Sequence, residues 1–89
     1  MITAIVLLNV ARTQVNPVAE TLAEMAGISE VYSVTGEYDL VAMVRVAANE
    51  DLAALVTQRL VAVPGIEKTT TMLAFKAYSR HDLESMFSL

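Results

Sequence analysis

The stretch VYSVTGEYDLVAMVRV, residues 31–46, decides the fold. Val31 to Thr35 and Leu40 to Val46 are rich in β-branched residues and free of proline, and between them lies Gly36-Glu37-Tyr38-Asp39. Glycine supplies the unusual φ that a reversal needs, and an aspartate side chain can bond the turn backbone. The spacing predicts a β-hairpin whose tip carries the densest polar and aromatic chemistry of the chain. Glycine and aspartate are equally common at turns for conformational reasons alone, so the tip by itself does not define a site.

Outward from the hairpin, the preceding segments read as strand and helix. Met1 to Val10 predicts a first strand, with Ile5 and Leu7 on one face and Val6, Leu8 and Val10 on the other, so both faces need cover. Asn16-Pro17 predicts a helix start, with asparagine as N-cap and proline at the first helical position. Val18, Leu22, Met25 and Ala26 then form one apolar stripe, and Gly27 is expected to close the helix. After the hairpin, Asn49 is expected to cap a second helix with the stripe Leu52, Leu55, Val56, Leu60 and Val63, stopped by Pro64-Gly65. Ile66 to Ala77 predicts a last strand. Residues 78–89, with Ser79 followed by Asp82, Leu83, Met86 and Phe87, predict a short tail helix.

Gly27-Ile28 and Gly65-Ile66 lie 38 residues apart, each between a helix and a strand, as in a duplicated βαβ unit. The order βαββαβ predicts an α+β, ferredoxin-like domain over residues 1–89, with a four-stranded antiparallel sheet and both helices on one face. A hydrophobic fraction of 55% in 89 residues exceeds what so small a core can hide, since a domain of this size buries roughly 60 to 65% of its unfolded surface. The uncovered sheet face is therefore expected to pair with a second copy as a dimeric αβ sandwich. The alternative cover is the tail helix folding back on its own sheet.

Composition excludes several function classes. Six Lys and Arg against ten Asp and Glu give a net charge of −4 with no basic cluster, which argues against nucleic-acid binding by this chain alone. The apolar N-terminal run is too short for a signal peptide or membrane span, and the absence of cysteine fits a reducing compartment, so a cytoplasmic location is expected. One histidine, His81, and no cysteine leave no basis for a metal site or a nucleophilic triad, and no cofactor is expected. The βαββαβ order brings the hairpin tip, the end of the first strand at Val10 to Thr13, and Thr69-Thr70-Thr71 to one end of the sheet. A carboxylate, a phenol, three hydroxyls and strand-end amides suit a small zwitterion. β-propensity alone would equally place three threonines in a strand.

Val34-Thr35-Gly36-Glu37-Tyr38-Asp39 before an apolar strand, with Pro64-Gly65-Ile66-Glu67-Lys68-Thr69-Thr70-Thr71 after a helix, resembles the C-terminal effector (RAM) domain of the Lrp/AsnC regulators. The resemblance implies sheet-to-sheet homodimers, higher rings such as octamers or decamers, and an amino acid effector bound between dimers. Carried onto this chain, it places ligand-binding residues at Gly36, Tyr38, Asp39, Leu40, Thr69, Thr70 and Thr71. The family's helix-turn-helix does not precede the first strand here, so a stand-alone version is expected that senses ligand or mixes with full-length relatives. A small dimeric enzyme of the antibiotic-biosynthesis monooxygenase type shares the fold, but it needs polar or aromatic groups inside, and the interior here reads as aliphatic. An ACT-type domain would carry a glycine between first strand and first helix, where Ala11-Arg12-Thr13-Gln14-Val15 has none. A pure assembly partner with a vestigial site is the remaining reading.

Overall fold

The computed structural model describes residues 1–78 and residue 80. Four strands, β1 (Ile2–Val10), β2 (Ile28–Ser33), β3 (Leu40–Val46) and β4 (Ile66–Leu73), form one sheet in the order β2-β3-β1-β4, with every neighbouring pair antiparallel. Helix α1 (Val15–Ala23) and helix α2 (Asn49–Ala54) lie between them in sequence, so the element order is the expected ferredoxin-like βαββαβ. The alternation in β1 is decisive: Ala4, Val6, Leu8 and Val10 are buried, while Ile5, Leu7 and Asn9 are only partly covered. In β3, Leu40, Ala42, Val44 and Val46 match them. Val18 and Leu22 of α1, and Leu55 and Leu60 beyond α2, complete this core, so both helices cover the same face.

The helices differ in detail from the sequence expectation. A 3-10 turn, Arg12–Gln14, follows β1 directly, and α1 begins at Val15, with no side-chain cap from Asn16. Pro17 falls within the first turn, where its missing N–H has no acceptor to lose. α1 closes at Glu24, and Gly27 instead shapes the turn into β2. The second helix is capped from within: the Asp51 carboxylate accepts the Ala48 amide at 3.1 Å, and Asn49 is already helical. This helix continues through a π turn, Leu55–Arg59, and a 3-10 turn, Leu60–Ala62. The wider turn separates Leu55 from Leu60 by five positions and still returns both side chains to the core.

β4 stops at Leu73 rather than Ala77. Leu73 lies opposite Ala4 and the Ala74 amide donates to the Thr3 carbonyl at 2.9 Å, close to the start of β1 at Ile2. Phe75 beyond it is fully exposed. The expected tail helix and His81 lie outside the described residues, apart from Tyr78 and Arg80.

The sheet face away from the helices carries two apolar rows. Met43, Ile5 and Met72 stand side by side across β3, β1 and β4, and Val41, Leu7 and Thr70 form the next row. Glu30, Tyr32 and Arg45 stand at the β2 margin and Lys68 on β4. No element among the described residues covers this face, and Met72 and Tyr32 remain 44% and 48% exposed.

Candidate functional site

β2 ends at Ser33 and β3 begins at Leu40, leaving residues 34–39 as the loop of the hairpin. The Val34 amide donates to the Asp39 carbonyl at 3.1 Å and closes it. Gly36 has φ +105° with open space where a Cβ would stand, so backbone conformation, not crowding, selects glycine here.

This loop is clamped to the end of β1. The Asp39 amide donates to the Leu8 carbonyl at 2.9 Å, and the Asn9 side-chain amide donates to the Glu37 carbonyl at 2.7 Å. The third contact comes from the Asp39 side chain, whose Oδ2 accepts the Val10 amide at 2.8 Å. Its cause lies in the register. Leu8 faces Leu40, so continuing the ladder would set Val10 opposite Tyr38, but the chain has already turned away at that point. A carboxylate substitutes for the missing strand carbonyl and satisfies the part-buried amide. The Ala11 amide then donates to the Gly65 carbonyl at 2.8 Å, tying the same end of β1 to the turn before β4.

The expected site residues fall into three groups. Gly36, Tyr38 and Asp39 share the loop, with Gly36 exposed and Tyr38 and Asp39 partly covered. Leu40 is fully buried, so its side chain belongs to the core and only its backbone adjoins the loop. The three threonines do not act as one patch. Thr69 and Thr71 stand opposite the buried Leu8 and Val6 and therefore face the helices, whereas Thr70 stands opposite Leu7 on the open face. Thr69 lines a shallow hollow of about 180 Å³ with Leu60, Val61, Ile66, Glu67 and Lys68. Sequence reasoning missed Asn9, although it is the lone amide side chain in a strand that is apolar from Ala4 to Leu8.

On the open face, the Tyr32 hydroxyl donates to the Glu30 carboxylate, and this bond to a negative charge raises the phenol pKa above its ordinary value. The described residues contain no group of three or more His, Cys, Asp or Glu placed to hold a metal ion. No helix among them is long and apolar enough to cross a membrane.

Residues 3–83 match the model of the Lrp/AsnC ligand binding domain. The chain belongs to the Lrp/AsnC family. A solved structure, TTHA0845 from Thermus thermophilus, is 49% identical with a TM-score of 0.84, covering 90% of this chain and 100% of its own. The HTH-type transcriptional regulator FL11 of Pyrococcus horikoshii is 35% identical over 84% of this chain and 49% of its own length. The chain spans between 39% and 50% of the length of the curated HTH-type relatives it matches. The transcriptional regulator NMB0573 of Neisseria meningitidis, solved as a complex with L-Met, is 14% identical, covers 89% of this chain and 53% of its own, and shares the fold with a TM-score of 0.79. The match is thus to the family's ligand binding domain, and the curated relatives carry the name of HTH-type transcriptional regulators.

Proposed function

We propose that this domain senses an amino acid or a related small metabolite at the hairpin end of its sheet and does so as an assembly. The observation that carries this reading is the clamped loop: three hydrogen bonds hold residues 37–39 over the end of β1, so the loop's polar groups are held in place before a ligand arrives. Oδ2 of Asp39 is committed to Val10, which leaves Oδ1 for a ligand ammonium group. The Tyr38 phenol and the Thr70 hydroxyl on the open face supply donors for a carboxylate. Thr69, Thr71 and Leu40 contribute by shaping the sheet end.

The apolar rows on the open face support pairing with a second copy, sheet to sheet, and further association into a ring that places a neighbour over the loop. The same surface would let this chain join longer HTH-type relatives and alter their assembly. The L-Met carried by NMB0573 is of the ligand class proposed here.

A thermal-shift screen of the purified protein against the twenty amino acids and common metabolites tests the reading. A ligand that binds only the native state raises its melting temperature by mass action. A free amino acid has about ten heavy atoms, and about 0.4–0.8 kcal/mol per atom gives an affinity between millimolar and micromolar. No shift with any amino acid or metabolite at tens of millimolar would contradict the sensing role.

A further inference from the structure

The three bonds that hold the hairpin loop do different things. The Val10 amide is part-buried and needs the acceptor that Asp39 provides, and the Asp39 amide extends the pairing of β3 with β1 through the Leu8 carbonyl. The Asn9 bond is of another kind. Glu37 is exposed, so its carbonyl can take water instead, and satisfying it does not require Asn9. Asparagine is also disfavoured in strands, and here it follows an apolar run from Ala4 to Leu8. What this bond adds is direction.

Only the nitrogen end of the Asn9 side chain can meet a carbonyl oxygen, so the 2.7 Å contact fixes which way the Glu37 carbonyl points. A trans peptide is planar, with the following N–H opposed to that carbonyl, so the Tyr38 N–H is aimed away from Asn9. The amides of residues 35–38 donate to no acceptor among the described residues, in contrast to those of Val34 and Asp39 on either side. Gly36 has open space where a Cβ would stand, so packing does not hold the tip at that point. The Tyr38 N–H is thus a free donor with a set direction, adjacent in sequence to the Asp39 carboxylate whose Oδ2 alone is committed.

We infer that Asn9 is a positioning residue of the sensing site: it sets the Glu37–Tyr38 peptide so that the Tyr38 N–H is ready to donate to a ligand carboxylate. Asn9 acts through that peptide and not by touching the ligand. The inference rests on sensing at the hairpin end. Without the Asn9 amide the peptide is free to turn, and binding must then order it, which lowers affinity.

The test compares the parent with Asn9→Ala, Asn9→Thr and Arg59→Gln. Threonine suits a strand, but its hydroxyl stops one bond short of the reach of the asparagine nitrogen. Arg59→Gln breaks a matching exposed bond, side chain to the Ala26 carbonyl at 3.1 Å, at the end of β2 away from the loop. Each full-length protein is titrated with the twenty L-amino acids by isothermal calorimetry, its melting temperature is recorded, and backbone NMR relaxation is measured for residues 36–38. Both Asn9 variants are expected to bind about fivefold or more weakly every amino acid that the parent binds. Order parameters of Glu37 and Tyr38 are expected to fall from the rigid range near about 0.85 toward about 0.6 in the same variants. Arg59→Gln is expected to match the parent in both measurements, and Asn9→Thr to melt with the parent. Parent-like affinity in either Asn9 variant, or unchanged order parameters, would overturn the inference and leave the sensing role standing. An equal loss of affinity in Arg59→Gln would make the effect one of stability and overturn it as well. A parent that binds no amino acid would overturn both.

Discussion

Asp39 and Val10, 29 residues apart, are joined by a carboxylate-to-amide hydrogen bond of 2.8 Å that fastens the hairpin loop to the central strand. Asp39 is thereby a structural residue as well as a proposed ligand contact. Asp39→Ala leaves a part-buried N–H without an acceptor and is expected to cost about 1–3 kcal/mol, whereas Asp39→Asn keeps an acceptor oxygen and is expected to cost about 1 kcal/mol or less. Urea denaturation of both variants checks the order. Equal stability of Asp39→Ala and the parent would show that the bond contributes nothing.

Two of the three turn glycines, Gly65 and Gly36, are expected to respond differently to alanine. Gly65 has φ +99°, and a Cβ there would stand 2.7 Å from Gln14 Cβ and 3.2 Å from Val18 Cγ2. Backbone strain and overpacking together predict a loss of about 2–4 kcal/mol for Gly65→Ala. Gly36→Ala meets open space, so only the backbone term of about 1–2 kcal/mol remains. Chemical denaturation of the pair distinguishes crowding from conformation.

Leu7 stands in the middle of the open face, opposite Val41 on one side and Thr70 on the other, and outside the buried core. Leu7→Glu is expected to leave the circular dichroism spectrum unchanged and to reduce the molar mass seen by light scattering, because a carboxylate buried between two sheets costs several kcal/mol. An unchanged mass would show that copies do not pair through this face.

The Tyr32 phenol is predicted to titrate above the ordinary 10.0, because its proton is shared with the Glu30 carboxylate. The sign of the linkage follows. The folded state holds this proton more tightly, so the contribution to stability is complete below the ordinary value and is lost as pH rises through the raised one. Ultraviolet titration of the tyrosines should show Glu30→Gln moving one of the three downward. A superimposable curve would contradict the assignment.

The alternation in Ile2–Val10 and Leu40–Val46 made the strands and their two faces legible in the sequence, but both faces of the first strand are apolar, so the choice of Val6, Leu8, Ala42 and Val44 as the helix-covered side came only with the packing. The same rule separates Thr69 and Thr71 from Thr70, a division that reading the three hydroxyls as one patch overlooked. Helix starts were less legible. Pro17 is tolerated anywhere in a first turn, so Asn16-Pro17 did not specify the first helical residue, and the cap of α2 came from Asp51, three residues inside. Contacts such as Asp39 to Val10 and Arg59 to Ala26 depend on where the chain leaves the sheet and on how helix and turn meet. No local pattern encodes them.

The central claim is that ligand is sensed at the hairpin end, and hydrogen–deuterium exchange with and without the best amino acid from the thermal screen tests it most directly. The account predicts slowed exchange in residues 34–40 and at Asn9 and Val10, with the amides of Ala26 and Gly27 unchanged. Ligand-dependent protection elsewhere with none in residues 34–40 would contradict it.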